Sequence, residues 1–296
     1  MGLTEHQQEL IKAVANNDII KAKKVALSCL VEDGTQKNKY FVERYAKILT
    51  EESSEIKVPQ NIQHMVQVRD VSNFKVNRYY LSEREEAAFN HISLMRKAAL
   101  RLKDLEIPYM NTTLLYGESG TGKTTFGEYV AYKMELPFCY LNATETINSY
   151  LGSTAKNLHN VFNFVKSFPC VFMIDEIDSI TTKRTTGDET NADSEMVRVT
   201  ISLMQALDKI SNEHIIIGAT NRMDRIDRAL LRRFSLHHEV KTLKENERQT
   251  LVNEYLKDVG VTLNNDDVEE MVAHTENQAL LLNKLINKMA EKFYNE

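Results

Sequence analysis

Lys123 and Thr124 follow directly on Gly122, in a run from Gly117 to Thr125 that reads GESGTGKTT. Gly117, Gly122, Lys123 and Thr124 fill the fixed positions of G-x-x-x-x-G-K-[ST], after an apolar run and ahead of a helix-like segment. A phosphate-binding loop needs that order, because backbone N–H groups turn inward only where no β-carbon stops them. The positive end of the following helix adds to the attraction. Gly117, Glu118, Ser119, Gly120, Thr121, Gly122, Lys123, Thr124 and Thr125 are therefore read as the cradle of a nucleoside triphosphate. Lys123 supplies a compact charge for the β- and γ-phosphates, and the Thr124 hydroxyl is placed to ligate Mg²⁺.

Two further groups could act on that phosphate. Asp175 and Glu176 end the apolar run VFMIDEID. Ligands of an open parallel sheet collect beyond the carboxyl ends of its strands, so both carboxylates reach the phosphate loop. Asp175 suits Mg²⁺, directly or through water, and Glu176 suits deprotonation of the attacking water. The second apolar run, IIIGATN, ends in Asn221, whose neutral amide can orient that water. It leads into RMDRIDRALLRRF, where Arg232 and Arg233 are adjacent. A surface helix with ion pairs would account for these arginines, but phosphoryl transfer also gains from an arginine placed against its developing charge, in some enzymes from another chain.

The elements that must hold these residues alternate. Phe126 to Met134, Thr154 to Lys166 and Ser194 to Ile210 read as helices, and Pro137 to Leu141, Cys170 to Ile174 and His214 to Ala219 as strands. The latter two strands are apolar on both faces, as buried parallel strands are. The expected fold class is α/β, a three-layer core with a parallel sheet between helices. Upstream, Ser82 to Leu105 is a long amphipathic helix with a Ser82/Glu85 capping pattern. Glu51 to Asn77 mixes charge and few periodic apolar residues, a linker with one short strand. Glu5 to Asn16, Asp18 to Leu30 and Lys37 to Thr50 read as three short helices, the second capped by Asp18 and carrying a solvated cluster of Lys21, Lys23 and Lys24. The tail from Lys244 to Phe293 holds three helices and no strand, a helical lid. TTKRTTGDETNADSE reads as a flexible loop. The expected domains are an N-terminal helical module at 1–58, a linker at 59–78, a nucleotide-binding domain at 79–242 and a lid at 243–296.

Composition narrows the choices. The chain has 296 residues, 42% of them hydrophobic and 27% charged, with a net charge of −5, so no overall basic character points to nucleic acid. Its three cysteines, Cys29, Cys139 and Cys170, fit neither a zinc pattern nor a disulfide framework and read as reduced thiols. No apolar stretch is long enough to span a membrane, and a cytoplasmic protein is expected.

Taken together, GESGTGKT, FMIDE, the strand ending in Asn221 and ATNRMDRIDRALLRRF resemble the Walker A, Walker B, sensor-1 and second-region-of-homology motifs of the AAA+ ATPases, AAA subgroup. The resemblance covers residues from about Tyr79 to the last and implies a P-loop NTPase core hydrolysing ATP with Mg²⁺. It also implies a homo-oligomeric ring, usually a hexamer, in which Arg232 and Arg233 reach the neighbouring subunit's nucleotide. The RRF ending is similar to that of microtubule-severing and membrane-remodelling members. Tyr150, Leu151 and Gly152 stand where the family places the pore loop that grips a polypeptide. Two departures stand out. Glu118 and Ser119 replace a common Pro-Pro, and TENQALLLNKL lacks the sensor-2 arginine of some groups. The N-terminal module matches no domain of the family and reads as the part that engages a protein substrate or partner. The expected function is a ring that remodels, unfolds or disassembles proteins. A DNA-handling ATPase of helicase-loader or transposition type would want a basic surface or a helix-turn-helix, and neither is found. A nucleotide-gated assembly switch is the third reading.

Overall fold

The structure, a computed structural model, describes residues 3–16, 18–32, 38, 41–42, 45–46, 49, 56–107, 109–147, 154–181, 191–211, 213–275 and 277–295. The two runs that are apolar on both faces become β4 (Val171–Asp175) and β5 (Ile215–Thr220), neighbours in the middle of a sheet. The other strands are β1 (Val66–Arg69), β2 (Asn111–Tyr116), β3 (Phe138–Asn142) and β6 (Leu236–Glu239), and the order across the sheet is β1-β3-β4-β5-β2-β6. Every pairing is parallel except that of β1 with β3.

Because side chains alternate along a strand, each central strand serves both layers. Val171 and Met173 pack with Ala88 and Ile92 of α3 (Glu83–Asp104) and with Phe126 and Val130 of α4 (Lys123–Met134). Phe172 and Ile174 pack on the opposite side with Leu158 and Phe162 of α6 (Thr154–Val165) and Leu203 of α7 (Asn191–Leu207), while α5 (Ala143–Ile147) is a short helix directly after β3. The expected three-layer arrangement is present. Cys139 and Cys170 are buried free thiols, and Cys29 is a half-buried one.

A short α8 (Arg228–Leu231) precedes β6. Beyond the sheet, α9 (Glu245–Val259), α10 (Asn265–Ala273) and α11 (Gln278–Asn295) close on a separate core of Leu251, Val252, Met271, Val272, Leu281 and Leu285. The three helices expected after Lys244 are these. At the other end, α1 (Glu5–Ala15) carries a Thr4/Gln7 capping box and α2 (Ile19–Glu32) starts where Asp18 accepts the Lys21 N–H at 3.0 Å. Lys24 bonds Glu135, just after α4, at 3.2 Å in an exposed ion pair, so it keeps the solvated position expected for its cluster. Most of the third expected helix, Lys37 to Thr50, lies outside the described residues.

Two features go beyond the sequence reading. The short strand expected between Glu51 and Asn77 is β1, yet residues 59–78 are more than a linker: Ile62, Met65 and Val66 are each about 1% exposed and β1 extends the sheet, so this segment completes the core that α6 and α7 cover. Its charges mask a few apolar anchors that need no period of their own. The other is β6, absent from the sequence reading because LHHE is a half-exposed edge strand without the apolar run of an interior one.

Candidate active site

The carboxyl ends of β2, β4 and β5 point the same way, which brings the chemically capable residues to one edge of the sheet. β2 delivers the chain into the glycine-rich loop. Gly117 has φ +149°, and a β-carbon there would lie 2.2 Å from the Val240 carbonyl oxygen, just past β6. Only glycine lets the loop leave β2 so close to that backbone. Gly120, at φ +77°, faces the lid: its added β-carbon would meet Asn277 Oδ1 at 2.9 Å, and its carbonyl accepts the Ala279 N–H at 3.2 Å. Glu118 and Ser119 are exposed at the tip, and Thr121 closes the turn by donating to the Glu118 carbonyl at 2.9 Å.

Gly122 precedes the first turn of α4, which carries Lys123, Thr124 and Thr125. Lys123 Nζ folds back onto the carbonyls of Gly117 (2.9 Å) and Glu118 (2.7 Å). Burial pushes its pKa down, while the charges of Asp175 and Asp178 pull it up. A charge-rich phosphate would be a better partner than two carbonyls. Thr124 Oγ1 donates to Asp175 Oδ2 at 2.9 Å, joining the helix to the end of β4. Asp175 is held from two more directions, by the Glu176 N–H at 2.9 Å on Oδ1 and the Tyr140 hydroxyl at 3.1 Å on Oδ2. Burial, then the Asp175 charge, pushes the Tyr140 pKa up to about 12, so the phenol stays a donor.

Glu176 turns the chain sharply, with φ +52°. Its Oε2 accepts from the Thr144 hydroxyl at 2.5 Å. Thr144 stands just beyond Asn142, which is in register with Asp175. On the next strand, Thr220 Oγ1 donates to Asp178 Oδ1 at 2.6 Å and accepts the Arg222 N–H at 2.8 Å. Asn221, immediately after β5, is exposed. The structure thus brings Lys123, Thr124, Asp175 and Glu176 together and puts Asn221 one strand away.

The arginines divide. Arg233 is committed within the chain: Nε and Nη2 each reach Asp208 at 2.9 Å, and Nη1 donates to the Ala229 carbonyl at 2.9 Å. The bond to Asp208 raises its pKa. Arg232 is exposed, and its guanidinium has no hydrogen bond or ion pair among the described residues. Tyr150, Leu151 and Gly152, the expected pore loop, lie outside the described residues.

Sequence reasoning missed Tyr140 and Thr144. Neither belongs to a motif, and each matters only once β3 is aligned beside β4. The register is the signal that finds them.

A hydroxyl and a carboxylate 2.9 Å apart at the foot of a phosphate cradle suit a hard divalent cation that keeps several waters. Among the described residues no cluster of three or more His, Cys, Asp or Glu could hold a metal. The donor set fits Mg²⁺ bound together with a phosphate ligand and fits no closed metal cage.

A parallel sheet with this loop between its β2 strand and α4 defines a P-loop nucleotide-binding protein. The comparison with known families is narrower. Residues 113–242 match the ATPase family associated with various cellular activities (AAA), and this segment is a domain of that family. It is 41% identical over 124 residues to the peroxisomal ATPase pex6 of Schizosaccharomyces pombe, covering 40% of this chain and 13% of that protein. It is 30% identical over 216 residues to the proteasome-activating nucleotidase of Methanococcus maripaludis, covering 67% of this chain and 52% of that protein. The chain therefore spans between about a tenth and about half of the length of the curated relatives it matches. No helix among the described residues is long and apolar enough to cross a membrane.

Proposed function

We propose that this chain is a Mg²⁺-dependent ATPase that assembles into a homo-oligomeric ring, a hexamer as is usual in the family, and uses ATP hydrolysis to remodel proteins. The observation that carries the ATPase reading is the meeting of Lys123, Thr124, Asp175 and Glu176 at one edge of the sheet. In that reading, the backbone from Gly117 to Thr125 cradles the phosphates and Lys123 leaves its two carbonyls for them. Thr124 and Asp175 hold Mg²⁺, which when bound offsets phosphate charge. Glu176, braced by Thr144 through Oε2, takes a proton from water with its free oxygen. The water attacks the γ-phosphorus as the bond to the ADP oxygen breaks, and Asn221 orients it. Arg232 reaches the nucleotide of the next subunit, while Arg233, held by Asp208, braces the segment that carries it.

The remodelling reading rests on the names of relatives, a peroxisomal ATPase and a proteasome-activating nucleotidase, and on Tyr150-Leu151-Gly152 lying between β3 and α6. An aromatic ring there offers a large rigid apolar face that grips many sequences. The N-terminal helices are the part assigned to a partner, and the free thiols accord with a reducing compartment such as the cytoplasm.

Paired measurements of equilibrium ATP binding and steady-state hydrolysis test the chemistry. Lys123→Ala is expected to lose binding. Glu176→Gln is expected to keep binding and lose turnover by about 10²–10⁴-fold. Near wild-type hydrolysis by Glu176→Gln would refute the assignment of the base. Capture on the ATP-loaded Glu176→Gln protein then supplies a substrate, against which Tyr150→Ala is expected to abolish stimulated but not basal hydrolysis.

A further inference from the structure

β1 and β3 carry a side-chain chain of contacts that ends on the Asp175 carboxylate and belongs to none of the motifs. Tyr140 Oη donates to Asp175 Oδ2 at 3.1 Å, the same oxygen that accepts Thr124 Oγ1 at 2.9 Å. Over the face of the Tyr140 ring lies the Arg69 guanidinium, 4.1 Å from its centroid. Arg69 is in turn fixed by Glu128, its Nη1 lying 2.7 Å from Oε1. Glu128 belongs to α4, the helix whose first turn carries Lys123 and Thr124. The contacts therefore form a closed circuit. It runs from α4 through Glu128 and Arg69 to Tyr140, then through Asp175 and Thr124 back to α4.

We propose that Tyr140 is a positioning residue for the divalent cation, with Arg69 and Glu128 holding its ring in place. The proposal rests on the reading above that Thr124 and Asp175 bind Mg²⁺. A carboxylate at a strand end can turn about its last side-chain bond, and each orientation presents different lone pairs. The Glu176 N–H fixes one oxygen of Asp175 and Tyr140 fixes the other. When a nucleotide enters, Thr124 would turn its hydroxyl toward the cation, and the Glu176 side chain would take up the water while its backbone N–H stays on Oδ1. Tyr140 stays on Oδ2, so the carboxylate keeps its orientation after Thr124 has left that oxygen. The role needs no proton transfer, only a hydroxyl at that place.

Tyr140→Phe tests this with little disturbance, because it keeps the ring and hence the stacking of Arg69. Binding of a fluorescent ADP analogue is titrated with Mg²⁺ and, separately, measured in EDTA. Mn²⁺ bound in the presence of ADP is counted by electron paramagnetic resonance. The variant is expected to need about 10-fold or more Mg²⁺ for half-maximal nucleotide binding, since outer partners of metal ligands typically contribute 10–100-fold to affinity. Mn²⁺ affinity should fall by a similar factor and EDTA binding should not change. Arg69→Met should give a smaller shift in the same direction. An unchanged or tightened Mg²⁺ requirement overturns the proposal. So does an equal loss with and without Mg²⁺, which marks Tyr140 as merely structural. If the wild-type protein binds no nucleotide under either condition, or binds it without any effect of Mg²⁺, the reading of the site itself falls.

Discussion

The phosphate-loop side and the arginine side of this site are finished to different degrees. Around Asp175, every functional side chain already has a partner in the same chain: Thr124, Tyr140 and the Glu176 N–H converge on it, and Thr144 holds Glu176. Between Asn221 and Phe234 the polar groups divide between bracing and exposure. Asp227 caps α8 through the Ala229 N–H at 2.7 Å, and Asp208 pins Arg233, yet Asn221 and Arg232 face outward. An exposed arginine with no hydrogen bond or ion pair among the described residues contributes little to the fold. The contrast separates a binding half whose groups are paired within the chain from a half whose Asn221 and Arg232 are exposed, as the proposed contact with a second subunit requires.

The largest effect that would break this contrast is at Arg232. Arg232→Ala should lower ATP turnover by about 10³-fold or more while leaving ADP affinity and thermal stability unchanged, because its exposed guanidinium makes no hydrogen bond or ion pair among the described residues. Mixing Arg232→Ala with Glu176→Gln subunits should recover part of the activity, since some interfaces pair an intact base with an intact arginine. Turnover per chain should also rise with protein concentration. Absence of rescue and of concentration dependence would mean that the site is complete in one chain.

A smaller effect sharpens the binding side. Gly120→Ala places a β-carbon against Asn277 at a backbone angle that costs an L-residue about 1–2 kcal/mol. Nucleotide affinity should drop by about 10-fold, readable by isothermal titration. Unaltered affinity would show that the loop and lid move independently. The smallest effect separates the neighbours. Arg233→Ala should lower stability to denaturant by about 1 kcal/mol, the scale of a partly exposed ion pair, whereas Arg232→Ala should not. Equal stability of the two variants would remove the distinction drawn between them.

How much of this was legible beforehand follows from what each residue answers to. Lys123, Thr124, Asp175 and Glu176 carry local signatures, a glycine pattern and apolar runs ending in carboxylates, so their position at the strand ends followed from sequence. The buried strands β4 and β5 declared themselves by being apolar on both faces. β1 showed only as one short strand somewhere between Glu51 and Asn77, and β6 not at all, because an edge strand satisfies only one neighbour and tolerates Gln67, Arg69, His237 or Glu239. Tyr140 and Thr144 were invisible for another reason. Their roles depend on which strand lies beside which, a relation between residues far apart in the chain. Arg232 and Arg233 looked alike in sequence, and Asp208, at the end of a helix well upstream, is what divides them.

The order of strands also sets a timetable. On the ribosome, β1 emerges first and waits only for β3, and β3 for β4. The strand that feeds the phosphate loop, β2, is made before β3 yet sits between β5 and β6, the last two to appear. At a synthesis rate of ~5–20 residues per second, β2 spends several seconds without either neighbour. The backbone that presents the loop to nucleotide is thus among the last parts of the sheet to be secured. A nascent chain stalled before Ile215 can build the flank of the sheet made of β1, β3 and β4, but lacks the neighbouring strand that fixes β2, and with it the start of the phosphate loop, in the sheet. Competence to bind nucleotide therefore arrives late in synthesis, after the arginine segment has also been made.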